Sequence, residues 1–111
     1  RKVSEYLRKM GELESQLMVR DYDNAERMIK EMKATAADFD FNKAMAMVNT
    51  GRQRSNFTLG MAQMMMQQGK TEEAQKYFYA AADIWPSNPE LTNASKKFFD
   101  SADMGAKATE E

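Results

Sequence analysis

SNFTLGMAQMMMQQGKTEEAQKYFYAAADIWPSN, residues 55–88, is the stretch that decides how this chain folds. It reads as two helices joined by a tight turn. Ser55 to Gln68 is rich in Met, Gln and Leu, which lose little rotamer freedom in a helix. Gly69 can adopt the left-handed conformation that closes a helix. Thr71 is expected to cap the second helix, with Glu72 and Glu73 where the helix dipole favours anions. That helix runs to about Ile84 and stops at Trp85–Pro86. Ala62, Ala74 and Ala81 are small enough to let two helices approach closely, and Phe78 fills the gap beside them. A long or β-branched residue at Ala74 would push the helices apart, at a cost of about 1–3 kcal/mol.

The stretch is 34 residues long, and its landmarks resemble the tetratricopeptide repeat. Ala62 stands at the small position of that repeat's first helix and Gly69 at its turn. Ala74, Phe78 and Ala81 stand at the small, large and small positions of the second helix. Pro86 stands at the closing proline, and Pro89-Glu90-Leu91 looks like the start of a following unit. Thr58 and Met65 depart from the family, which usually has aromatic residues there. The resemblance implies antiparallel helix pairs stacked as a short right-handed superhelix.

Working outward, a fainter copy lies near residues 5–38, where RDYDNAERMIKEM (20–32) is similar to the turn and second helix, with Tyr22 and Ala25 in place. The first helix is expected from about Val3 to Val19, with Val3, Tyr6, Leu7, Met10, Leu13 and Leu17 recurring at three and four. The second is expected from about Tyr22 to Ala37, capped by Asp21, with Ala25, Met28, Ile29 and Met32 on one face. Ala25 and Ala74 are 49 residues apart rather than 34. The excess is about four helical turns, roughly 22 Å. It predicts an elongated or split helix over about 41–68, with 41–54 as the linking part. Gly51 does not force a break, because glycine costs only about 1 kcal/mol against alanine. Ser87–Glu90 reads as a capping box for a last helix over 89–103. Residues 105–111 read as a frayed tail. The expectation is therefore an all-α chain of five to six helices, forming one domain over 1–104.

Composition narrows the chemistry. The chain has 111 residues, 42% hydrophobic and 30% charged, a globular mix rather than a disordered one. Its net charge of −1 supplies no field that would recruit nucleic acid or an anionic membrane. It has no Cys and no His. Within this chain that excludes zinc, iron–sulfur, disulfide, thiol and imidazole chemistry. No apolar run approaches the roughly 18–20 residues of a membrane span. The opening residue, Arg1, suggests a piece of a longer protein, and no targeting signal is visible. The compartment is not legible.

Other patterns have plain readings beside the functional ones. Gln68-Gly69-Lys70-Thr71 ends like a phosphate-binding loop, but Met64 stands where the first glycine belongs and the preceding segment is helical rather than a strand. Asp21/Asp23, Asp38/Asp40 and Glu72/Glu73 sit at helix starts, where capping explains them without catalysis. Asn56-Phe-Thr58 and Asn93-Ala-Ser95 match the glycosylation pattern but fall on helices. Met45, Met47, Met61, Met64, Met65 and Met66 could offer thioethers to Cu(I), line a groove for a partner, or fill the core. Met61 and Met65 are assigned to the core with Ala62. Tyr6, Met10, Leu13 and Leu17 fit a heptad seam for barely two heptads, which favours packing within the chain.

The function these readings imply is a non-catalytic interaction module with no cofactor and no metal. By the resemblance, the first helix of each pair lines a concave groove for a peptide or helix of another protein. The groove positions are then Asn56, Leu59, Gln63, Met66 and Gln67 in the clear repeat. In the faint one they are Leu7, Met10, Glu14, Leu17 and Met18. The version of the family that clamps chaperone C-terminal carboxylates uses Lys, Arg and Asn there. Only Asn56 is present, so that ligand class is not implied. The alternative is a structural role in self-association or in a larger assembly, because about two repeats fall short of the three usually needed for stability.

Overall fold

The computed structural model describes residues 2–97, with side chains from Ser4 onward. These residues form five helices and no strand. Helix α1 spans Lys2–Met18, α2 Tyr22–Thr35, α3 Phe41–Gln67 and α4 Thr71–Ile84. A fifth, α5, covers residues 90–97. The all-α expectation holds, and the packing is compatible with a short helical repeat-like stack. The expected continuation of the last helix to 103 and the tail 105–111 lie outside the described residues.

The helix ends follow local chemistry, with two departures from expectation. Asp21 caps α2 by accepting from the Asn24 backbone N–H at 3.2 Å, and Asp40 caps α3 by accepting from Lys43 N–H at 3.1 Å. Gly69 has φ +78°, so it closes α3 as a left-handed residue. Arg20, also left-handed at φ 60°, breaks the chain between α1 and α2. The residue before α4 is Lys70 rather than Thr71, and no side chain caps that helix. The capping box expected over Ser87–Glu90 is instead a cap by Asn88, whose Oδ1 accepts from Glu90 N–H at 2.9 Å. Ser87 accepts from the Trp85 indole at 3.1 Å. Asn88 is buried and already held on α3, which explains why it, not its serine neighbour, takes the cap.

The elongated or split helix expected over about 41–68 is a single continuous one. α3 runs unbroken for 27 residues, about 40 Å at 1.5 Å per residue. It is the spine of the molecule. Its first half packs on α2 and its second half on α4. The overall shape follows, with extents of 70 × 19 × 17 Å and a radius of gyration of 18.9 Å. A single globule of this length would have a radius near 13 Å.

Two cores sit along this spine. The first gathers Leu13, Ala25, Ile29, Met32, Ala44 and Val48, with Tyr6, Met10 and Leu17 against it. The heptad-like positions of α1 are thus satisfied inside the chain. The second gathers Leu59, Ala81 and Ala94 with Phe78 and Leu91. Ala62 and Ala74 are fully buried, as their small size anticipated.

A polar and aromatic clasp joins the two cores. Gly51 is buried in mid-helix, and the Tyr22 ring lies where its Cβ would be. The same ring meets Trp85 edge-on at 6.4 Å. Arg52 reaches Asp23 at 2.6 Å and Glu26 at 3.3 Å, with its guanidinium 5.3 Å from the Trp85 ring centroid. Arg20 donates to the Asp83 carbonyl at 2.7 Å. Burial works against the Arg52 cation, but hydrogen bonds and charge from Glu26 and Asp23 outweigh it and raise its pKa above the ordinary value.

Candidate interaction surface

The ten groove positions expected from the sequence do not form one surface. Leu59 is 3% exposed and belongs to the second core, so its assignment to the groove is corrected. The reason is spacing. Leu59 precedes Ala62 by three residues, about one turn, and therefore shares its stripe. Met66, four residues beyond Ala62, is half-buried on the same side. Met10 and Leu17 pack against the first core rather than line a groove. Asn56 is exposed, but its Oδ1 accepts from Asn88 at 2.9 Å. Leu7, Glu14, Met18, Gln63 and Gln67 are exposed.

The inner stripe of α3 is Ala44, Val48, Gly51, Ser55, Leu59 and Ala62, all buried. Ser55 is held by a 2.8 Å bond to the Ala81 carbonyl and accepts from Asn88 at 3.0 Å. Only one of these six residues is larger than valine. Small residues let α2 and α4 lie close against the spine.

A second stripe, about 100–130° around the helix from the first, has the reverse character. Lys43, Met47, Thr50, Arg54, Phe57, Met61, Met64 and Gln68 alternate spacings of four and three along all of α3. Such spacing keeps side chains in one seam on a helix. All are exposed except Met61, which is half-buried. Phe57 is 74% exposed, Met47 53% and Met64 48%. Beside the seam run Ala46, Gln53, Gly60 and Gln67, also exposed. A Cβ built on Gly60 would meet nothing within 4 Å. Residues 41–70 hold four cations, Lys43, Arg52, Arg54 and Lys70, and no acid. The seam thus carries four large apolar side chains, Met47, Phe57, Met61 and Met64, among four polar ones, Lys43, Thr50, Arg54 and Gln68.

The assignment of Met61 to the core is corrected in part. It stands with Phe57 and Met64, not with Ala62. Sequence reasoning missed this seam because it weighed residues 55–88 as a unit, whereas the seam begins at Lys43. The signal was present as an unbroken 4-3 alternation running across Gly51.

A second feature is a cleft of about 540 Å³ between the start of α1 and the end of α2. Tyr6 and Met32 give it apolar walls, and Glu5, Lys9 and Asp38 line it with charges of both signs. Among the described residues no group of three or more acidic side chains is placed to hold a metal ion. Among the same residues no helix is long and apolar enough to cross a membrane. Compared with protein-family models, with curated proteins and with solved structures, the chain matches none.

Proposed function

We propose that this chain is a non-catalytic interaction module that binds a helix along the outward seam of α3. The observation that carries the reading is the exposure of Met47, Phe57 and Met64 on one continuous 4-3 stripe. An isolated exposed leucine is ordinary on a protein surface, but an aligned row of large apolar side chains is a feature of interaction sites. Methionine suits the task because its flexible, polarizable side chain adapts to a partner's shape. A helix with apolar residues at the same spacing is the ligand such a row would accept, as in helix-in-groove recognition. This replaces a groove through Leu59, which has no accessible surface to offer.

The methionines also supply the test. Peptides are selected from a library of helical sequences on the immobilised protein, then titrated into chain labelled at its Met methyl groups. The expected result is shifts at Met47, Met61 and Met64, with Met32 in the first core unmoved. Shifts confined to Met18 would move the site to α1. If no selected peptide perturbs any of these methyls, the interaction reading fails.

A further inference from the structure

We infer that the occupant of the α3 seam is a second copy of the same helix, paired antiparallel about a two-fold axis near residues 55 and 56. This rests on the interaction reading above and names its partner. The seam is palindromic in spacing, 4-3-4-3-4-3-4 from Lys43 to Gln68. An antiparallel copy therefore meets it in register. Met47 lies opposite Met64 of the second copy, Thr50 opposite Met61, and Arg54 opposite Phe57. By symmetry each pairing occurs twice. Arg54 and Phe57 flank the middle, Met61 and Met64 follow outward, and Lys43 and Gln68 close the ends with polar groups.

Charge favours the same arrangement. α3 has no acidic residue in its first turn and no basic residue in its last. Lys43 therefore sits at its own helix's N-terminal end, where the dipole disfavours a cation. Antiparallel pairing carries it to the C-terminal end of the second copy, beside Gln68, where the dipole favours it. Arg54 faces a Phe57 ring rather than a carboxylate, and a guanidinium over an aromatic face is attractive. Parallel pairing would instead set Lys43 beside Lys43, whereas the two Arg54 side chains come close in either arrangement, about 4.5 Å apart along the axis in the antiparallel one. Beside the seam, Ala46 and Gly60 are small enough to leave the backbones room to approach at those two turns.

The area is modest. Four large apolar side chains per copy and their flanking stems bury on the order of 1,000 Å² in total, at the lower edge for a specific interface. The expected association is therefore in the micromolar range, with a dissociation constant of about 1–100 μM.

The experiment uses the full chain of 111 residues, which has no native cysteine. Sedimentation over a concentration series reads the oligomeric state of the parent, Phe57→Asp and Gln75→Asp. Met47→Cys and Met64→Cys chains are then oxidised separately and as a mixture. A monomer–dimer equilibrium is expected, weakened about 100-fold or more by Phe57→Asp because each substitution enters the interface twice. Gln75→Asp, on the exposed side of α4, should leave it unchanged. Only the mixture of the two cysteine variants should give a disulfide-linked dimer. Dimers from Met47→Cys alone would mean parallel pairing and overturn the inference. So would a dimer indifferent to Phe57→Asp. A chain monomeric at millimolar concentration whose Met47, Met61 and Met64 methyls still respond to a selected peptide overturns the second-copy inference and leaves the interaction reading standing. A monomer whose methyls respond to nothing overturns both.

Discussion

The two faces of α3 invert the usual relation between residue size and burial. The inner face carries Ala44, Gly51, Ser55 and Ala62, and is buried. The outer face carries Met47, Phe57, Met61 and Met64, and is largely open. On an ordinary surface helix the larger apolar side chains point inward. Here the inner face has been given to close approach. Helices that pack through alanine and glycine gain contact from backbone proximity and leave little room for large side chains. The large side chains then stand on the outer face, largely open to solvent. Bulk and burial are separate properties, and on this helix only Val48 and Leu59 combine a side chain of valine size or more with burial.

The sharpest way to break that comparison is one acidic substitution on each face. Leu59→Asp places a charge in the second core with no partner, which costs several kcal/mol and should abolish cooperative unfolding. Phe57→Asp, two residues away, should leave the monomer's helicity and its unfolding transition intact by circular dichroism. Similar losses for both would mean the faces are not distinct.

Next in size is overpacking of the inner face. Ala74→Leu should destabilise by about 1–3 kcal/mol, because the side chain has no space between α3 and α4. Gln75→Leu, exposed on the same helix, should change stability by less than about 0.5 kcal/mol. Denaturant midpoints for the pair sharpen the register of α4 on the spine.

The clasp between the cores should respond more gently. Arg52→Ala removes contacts to Asp23, Glu26 and Trp85, and about 1–2 kcal/mol of stability is expected to go with them, since the partners keep partial access to water. The pH dependence has a definite sign. A cation whose pKa is raised on folding contributes stability fully below its unfolded pKa and loses it only as pH climbs through the folded value. For arginine that lies in the strongly alkaline range, so the Arg52 contribution should be flat between about pH 5 and pH 9. A large change in the Arg52→Ala difference across that window would show that another group controls the clasp.

The smallest effect tests Gly51. Gly51→Ala gains helix propensity of about 1 kcal/mol but forces the Tyr22 ring aside. The two terms oppose, so the single variant should move the melting temperature little or downward. In a Tyr22→Ala background the same substitution should stabilise by about 1 kcal/mol. An equal effect in both backgrounds would separate Gly51 from Tyr22.

Much of this architecture was written in the chain itself. Helix formers, the turn at Gly69, the cap at Asp21 and the small residues at Ala62, Ala74 and Ala81 all act through local sterics, so residue order alone carries them. Set against a 34-residue unit, the 49-residue spacing between Ala25 and Ala74 led to the expectation of an elongated or split helix, and Gly51 lacked the energy to force a break. The tertiary structure decided what depends on rotation about a helix axis. A helix turns by about 100° per residue, so an error of one position moves a side chain from wall to floor. That is why Leu59 could be placed in a groove by resemblance and yet lie in the core, and why Met61 stands with Phe57 rather than Ala62. Asn88 taking the cap from Ser87, and Tyr22 covering Gly51, depend on residues 29 to 33 positions apart being brought into contact. No local propensity encodes such contacts. They exist because the spine holds two cores in line, and the same spine leaves its outer seam uncovered.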